Sequence, residues 1–358
     1  MGRATCHLSL PWNWANVLVM QLFELTRALV DIESVTGNES GCAGFLRDYL
    51  AERKLEVELV PVADAGAGGR ANVFAVCGTP DVVLSTHLDT VPPFFPARED
   101  SDFIYGRGAC DAKGIIASEV VAAERLLGEG ARDFGLLFLV GEETLSDGAR
   151  AANAAPRGSR YIINGEPTDN KLAIGTKGIL RLDVRTRGKM AHSAYPQLGE
   201  SAIEKLLDVL AEVRRLPLPR DPVLGPSTVN IGVISGGRAA NVIPDEAEAQ
   251  VLFRTVNGAQ ELRRQLERLL EGRCEYEFVR DTPALMMEKM DKLDGFETEV
   301  VAFTTDLPSL TNWGRPLLLG PGSISVAHTD HERVSKADLV RAVDLYCRLV
   351  RELKARKS

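Results

Sequence analysis

The chain has 358 residues, 45% of them hydrophobic, and a formal charge of −8, which is material for a sizeable core and for two domains. Its 42 Lys and Arg residues are scattered, so the basic footprint of a nucleic-acid binder is missing. Cys6, Cys42, Cys77, Cys110, Cys274 and Cys347 lie far apart with no CxxC pair, which excludes zinc fingers and disulfide scaffolds and fits a reducing cytoplasm.

The first 19 residues, MGRATCHLSLPWNWANVLV, are broken by Pro11, Asn13 and Asn16, carry one basic residue and lack a small-residue cleavage site. They read as neither a signal peptide nor a membrane span; an upstream extension or loosely held arm before Met20 is expected. Leu22 to Ile32 and Cys42 to Leu55 carry apolar residues at helical spacing on either side of the breaker Thr36-Gly37-Asn38. Leu55 to Val62 alternates as a strand, and Ala63 to Gly69 is a loop. Two strand signals follow, Asn72 to Cys77 and Val82 to Ser85, and the second runs into Thr86-His87-Leu88-Asp89.

Gly106 to Gly114 is a glycine-punctuated loop opening onto a helix from Ile115 to Leu127, but its spacing is neither GxGxxG nor GxxxxGKS, which argues against a nucleotide site. Phe134 to Glu143, FGLLFLVGEE, is a short apolar run ending at two carboxylates. Such a run reads as a strand covered on both faces, as in the parallel sheet of an α/β protein. After a helix from Ser146 to Ala154, the strand Arg160 to Asn164 ends in Gly165-Glu166-Pro167. Three strands thus deliver a carboxylate or imidazole at their carboxyl ends, where ligands and catalytic groups of such sheets lie.

From Lys177 the order changes: strand Gly178 to Arg187, helix Glu200 to Arg214, strands Thr228 to Ile234 and Glu246 to Phe253, helix Ala259 to Leu270, strand Cys274 to Val279. This β-α-β-β-α-β order is a ferredoxin-like unit that closes on itself. The expected organisation is an α/β domain with a mixed, largely parallel sheet flanked by helices over residues 1–176 and 286–358, interrupted by an inserted domain at 177–285. The tail supplies strands Glu299 to Thr304 and Pro316 to Leu319, the loop Gly320 to Glu332, and a helix from Lys336 to Leu353.

The five histidines are His7, His87, His192, His328 and His331. His87 has a carboxylate two residues on, as when an acid fixes the tautomer of a metal-bound imidazole. His328 sits past a strand, and Asp111, Glu143 and Glu166 add three carboxylates in strand-end or loop positions. Each alone is more cheaply read as structural: a satisfied histidine, a helix cap, a solvated turn. Together they form a nitrogen and oxygen donor set suited to zinc, or less selectively cobalt or manganese, with more ligands than one tetrahedral ion needs. Two ions bridged by one carboxylate would use all five. Glu142, if not a ligand, is then the natural general base.

THLDTVP, GRGACDAKG, LVGEE, NGEPT, GKMAHSAYP, NIGVISGGRAANVIPD and the closing GPG with AHTDHE occur in this order. They resemble the successive blocks of the two-zinc aminoacylase and carboxypeptidase family, which includes acetylornithine deacetylase, succinyl-diaminopimelate desuccinylase and dipeptidases. The resemblance covers Met20 to Leu353. It implies that His87 and Glu166 hold one zinc, Glu143 and His328 the other, and that Asp111 bridges them. It further implies that Asp89 orients His87, that Glu142 is the general base, and that the Asp111–Ala112 bond is cis. His192 matches the histidine that stabilises the oxyanion across a dimer interface, and Arg254 and Asn241 fall where the family grips the substrate carboxylate. The inserted domain would be a dimerisation or lid domain, making the protein a homodimer that acts on an N-acyl amino acid or dipeptide, without nucleic acid or membrane partners. The implied activity is closest to acetylornithine deacetylase; desuccinylase and dipeptidase activities use the same chemistry, and a non-catalytic metal-binding homologue would require a broken ligand set. Ala112 and Ile115 depart from the family's methionine and second glycine in the bridging block.

Overall fold

The computed structural model describes residues 12–53, 55–62, 69–290, 293 and 295–356. In chain order the principal elements begin with α1 (Trp12–Val30), α2 (Ser40–Glu52), β1 (Glu56–Pro61), β2 (Ala71–Cys77) and β3 (Val82–His87). Next come α3 (Lys113–Gly128), β4 (Phe134–Leu139), α4 (Asp147–Ala154) and β5 (Tyr161–Asn164). Then follow β6 (Gly178–Arg187), α5 (Ala202–Val213), β7 (Thr228–Gly236), β8 (Glu246–Thr255), α6 (Gln260–Leu270) and β9 (Glu275–Thr282), and finally β10 (Arg315–Leu318) and α7 (Lys336–Ala355). Among the described residues no helix is long and apolar enough to cross a membrane.

The chain forms two compact units, one of Met1–Ala173, Met287–Glu299 and Ser309–Ser358, the other of Ile174–Met286 and Val300–Pro308. The first unit is built on a six-stranded mixed sheet in the order β1-β2-β4-β3-β5-β10. β4, β3, β5 and β10 run parallel, while β1 and β2 add an antiparallel edge. All six residues of β4 are buried, as are all six of β3, which is what cover on both faces demands of a central parallel strand. α3 is buried from Lys113 through Ala123 because it lies in one apolar cluster with α1, α7 and one face of the sheet.

In the parallel register Val82 stands beside both Phe134 and Tyr161, and Leu318 beside Asn164. The four strands therefore end along one edge. His87 closes β3, Gly141-Glu142-Glu143 follows β4, and Gly165-Glu166 follows β5.

The second unit is an antiparallel sheet in the order β7-β8-β6-β9. Along β8, Ala247, Ala249, Val251 and Phe253 are buried while Glu246, Glu248 and Gln250 are exposed, the alternation of a sheet with one wet face. The dry face packs on α5 through Leu206, Leu210 and Val213 and on α6 through Leu262, Leu266 and Leu270. Ser201 caps α5 by accepting from the Glu204 amide at 3.2 Å.

Three expectations change. α1 begins at Trp12, not at Leu22, so residues 12–19 are helical and only 1–11 of the expected arm lie outside the described residues. The strand expected at Glu299 to Thr304 is the short Thr298–Val301, which joins a separate three-stranded sheet with Leu172–Thr176 and Leu285–Met286. Its continuation belongs to the second unit, where the Thr304 hydroxyl donates to the Lys177 carbonyl at 2.8 Å. Finally, β10 ends at Leu318, so His328 stands in a long loop well beyond the strand.

Candidate metal centre

The parallel edge gathers five of the donors singled out in the sequence. His87, Asp111 and Glu166, all buried, each present a ligand atom within 4.8 Å of the other two, and Asp111, Glu143 and His328 do the same. Asp111 belongs to both groups. Its Oδ1 lies 2.9 Å from His87 Nε2 and its Oδ2 3.3 Å from His328 Nε2, which is also 3.0 Å from Glu143 Oε1. A carboxylate with one oxygen turned to each imidazole has the geometry a bridging ligand requires, and two imidazoles with three carboxylates are hard and borderline donors suited to divalent cations. The donor set fits the cations that the sequence resemblance implies.

The surrounding fold fixes these side chains. His87 Nδ1 lies 2.9 Å from the Asp89 carbonyl oxygen; a carbonyl only accepts, so Nδ1 carries the proton and Nε2 faces Asp111. The contact that orients His87 is thus chiefly with the backbone of Asp89, its carboxylate standing at 3.5 Å. That carboxylate is fully buried and takes the Thr36 hydroxyl at 2.7 Å and the amides of Glu142 and Glu143 at 3.1 and 3.2 Å. Burial opposes its charge, yet donors from His87, Thr36 and Glu143 hold its pKa below the usual carboxylate value. Asp89 therefore clamps the turn that presents the glutamate pair. Asp111 precedes α3 and is joined to Ala112 by a cis peptide bond, the isomer the resemblance implies.

Gly141, which opens the same turn, has φ +78, and a Cβ there would come within 1.8 Å of Asp147 Oδ1 and 2.6 Å of Arg70 Nη2. Only glycine lets the backbone lie against that ion network. Arg70 pairs with Glu39 at 2.7 Å through both Nε and Nη2 and with Asp147 at 2.6 Å through Nη1. Glu142 is partly buried beside Glu143.

The electrostatics follow from this crowding. Burial resists a charge on His87, but Asp111 and Asp89 overcome it and raise its pKa well above the ordinary value. Asp111 and Glu143 raise His328 to about 10. Burial raises Glu143, while His328 and His87 outweigh burial at Asp111 and lower it. A cation at either cluster competes with protons held between imidazole and carboxylate.

The remaining singled-out residues lie in the second unit. His192 is exposed and pairs with Val242 in a short two-stranded antiparallel ladder of Ala191–His192 with Val242–Ile243, and the carbonyl of Asn241 accepts the Ser193 amide at 3.0 Å. His192 Nδ1 accepts the Ala194 amide at 3.1 Å, which leaves Nε2 as the ring nitrogen that carries a hydrogen. Arg254 is near the end of β8, opposite Thr228 and Ile179, with Nη1 3.4 Å from the Thr304 hydroxyl. The Val242–Ile243 strand of that ladder leads into β8 at its other end, at Glu246. Thr36, Arg70, Arg107 and Glu332 had no assigned role in the sequence. The last two stand inside the quoted blocks GRGACDAKG and AHTDHE, the one signal that could have drawn attention to them.

Comparison with known proteins gives a consistent picture. The family profile described as the peptidase dimerisation domain matches residues 174–281. A peptidase M20 domain-containing protein of Schizosaccharomyces pombe is 40% identical over 338 residues, covering 92% of this chain and 84% of the relative. A probable carboxypeptidase of Aspergillus oryzae is 36% identical, covering 90% of this chain and 85% of its own length. A tripeptidase from Staphylococcus aureus shares the fold with a TM-score of 0.81 at 20% identity, over 94% of this chain and 99% of that one.

Proposed function

The chain belongs to the M20 peptidase family, and from that premise we propose that it is a two-zinc hydrolase of linear amides whose leaving group is a free amino acid. N-acyl amino acids of the acetylornithine kind and short peptides with a free C-terminus share that description, and the relatives named as carboxypeptidases are consistent with it. The observation that carries the reading is the pair of donor triads sharing Asp111, with Glu142 next in the chain to Glu143.

In this reading His87, Asp111 and Glu166 would hold one ion and Asp111, Glu143 and His328 the other, with cobalt or manganese able to replace zinc. Bound there, the cations supply Lewis acidity to the amide carbonyl and acidify the attacking water. Glu142, held by the Asp89 clamp on its backbone amide, takes the proton from that water and hands it to the leaving nitrogen. The Nε2 proton of His192 stabilises the developing oxyanion. Arg254, whose planar guanidinium suits a carboxylate, binds the carboxylate of the leaving amino acid together with Asn241, which stands beside His192 and so, like it, comes from the second copy of the chain.

The second unit supports placing two copies of the chain at each site. Arg254 lies eight residues beyond Glu246 along β8, roughly 27 Å at the rise of an extended strand, further than one small substrate reaches. His192 and Arg254 of one chain would thus serve different substrates, with His192 acting in trans in a homodimer.

Purified protein loaded with zinc and assayed against acetylornithine, acetylcitrulline, succinyl-diaminopimelate and a set of di- and tripeptides tests the proposal. Turnover should depend on metal. Glu142→Ala should lower kcat by about 10²–10⁴-fold, the range for a lost general base, while metal content stays near two ions per chain. Retained activity in that variant would sink the assignment of the base.

A further inference from the structure

One buried carboxylate outside the donor triads touches the loop of the shared ligand directly. The side chain of Glu332 is fully buried, and its two oxygens divide their work. Oε2 accepts from Nη1 of Arg107 at 2.6 Å, and Oε1 accepts the backbone amides of both Cys110 and Asp111 at 3.1 Å. Arg107 is itself buried, donates through Nε to the Pro93 carbonyl at 3.2 Å and lies over the Phe95 ring. The Gly106 amide donates to the Glu332 carbonyl at 3.1 Å. The loop that presents Asp111 is therefore fastened at Gly106, Arg107, Cys110 and Asp111 to a single residue more than 220 positions away in sequence. Glu332 stands four residues after His328 in the chain.

We propose that Glu332 is the positioning residue of the metal centre: its carboxylate sets Asp111 in place through two backbone amides, with Arg107 fixing the carboxylate, and ties the Asp111 loop to the loop that carries His328. The inference rests on the reading of Asp111 and His328 as ligands. A buried ion pair by itself is weak ground for stability, but a charged acceptor on two consecutive amides specifies where the chain goes. Outer partners of this kind change metal affinity by about 10–100-fold when lost.

The chemistry of the glutamine variant makes the test selective. Glutamine has one acceptor oxygen and one amino group. In Glu332→Gln the amino group must face either the Arg107 guanidinium or the two backbone amides, donors against donors. In the double variant Arg107→Met/Glu332→Gln the guanidinium is gone, and the oxygen is free to face Cys110 and Asp111.

The experiment titrates metal-free wild-type protein and both variants with Co2+, following its visible absorption and competition with a chelator, alongside thermal melting, kcat and KM. Glu332→Gln should bind Co2+ about 10–100-fold more weakly, with an altered spectrum and with kcat falling more than KM changes. The double variant should regain much of the affinity and the wild-type spectrum. Glu332→Gln with wild-type affinity and spectrum would overturn the positioning role, as would a double variant that melts like wild type yet recovers nothing. Wild-type protein that takes up no Co2+ would instead overturn the two-metal reading, and the positioning role with it.

Discussion

The two donor triads of the candidate metal centre share Asp111 and differ in what holds the other donors. His87 and Glu166 are buried and stand at or just past the ends of β3 and β5, parallel neighbours in the sheet. Glu143 and His328 come from a turn and a long loop. Half of the His328 side chain is exposed, and its φ of +61 is a left-handed conformation that a non-glycine residue adopts only when its surroundings hold it there. One triad is fixed by strand register before any cation arrives, while the other depends on loop contacts. Pre-organised ligands lose less freedom on binding, so the sheet-borne triad is expected to be the tighter site and the loop-borne triad the exchangeable one.

Removing the shared corner should abolish the difference. Asp111→Ala takes a ligand from both triads, and metal content should fall below one ion per chain. The several kcal/mol of charge stabilisation that bound cations supply corresponds to a loss of at least about 10³-fold in kcat/KM. Two ions retained in this variant, measured by elemental analysis after gel filtration, would show that Asp111 bridges nothing.

Separating the halves should give a smaller and unequal effect. His328→Ala is expected to leave one tightly held ion and to weaken the other by more than the about 10–100-fold that loss of an outer partner costs, because His328 would be a direct ligand. His87→Ala should cost the tight ion and also lower the melting temperature, because Asp111 and Glu166 would face each other in a buried place without the imidazole. Identical metal loss and identical melting in the two variants would erase the distinction between a sheet-borne and a loop-borne triad.

The same distinction explains what could be read in the sequence. The strand-end donors were legible because apolar runs such as FGLLFLV stop abruptly at charged residues, and parallel register then brings those stops to one edge. The β-α-β-β-α-β order of the second unit was legible for a similar reason, since the period-2 alternation of β8 and the apolar stripes of α5 and α6 are local patterns. The supports were not. The pairing of Arg107 with Glu332 spans 225 residues, and that of Arg70 with Glu39 and Asp147 spans 31 and 77, so no window of sequence contains both partners. The orienting contact on His87 was assigned to the Asp89 carboxylate and is chiefly made by its carbonyl, because side-chain identity says nothing about a backbone group.

A final, subtler effect concerns the core behind the sheet-borne triad alone. Glu119 on α3 is fully buried, and neither of its carboxyl oxygens has a hydrogen-bond partner. A Cβ at Gly165, the residue before Glu166, would stand 2.7 Å from Glu119 Oε1 and 3.0 Å from the Tyr346 hydroxyl, which places the carboxyl directly beneath that strand end. Burial raises its pKa well above the ordinary 4.5. The folded protein therefore keeps the proton at pH values where the unfolded chain has released it. The sign follows: the titration of this carboxyl costs nothing below about pH 4.5, and that cost grows as the pH climbs from there toward the raised value, by at most about 1.4 kcal/mol per pH unit. Glu119→Gln keeps the shape of the protonated acid and removes the titration. Its melting temperature should match wild type near pH 4.5 and exceed it increasingly toward pH 8, with the metal affinity of both triads unchanged. A difference independent of pH would mean that Glu119 is not held protonated beneath Gly165.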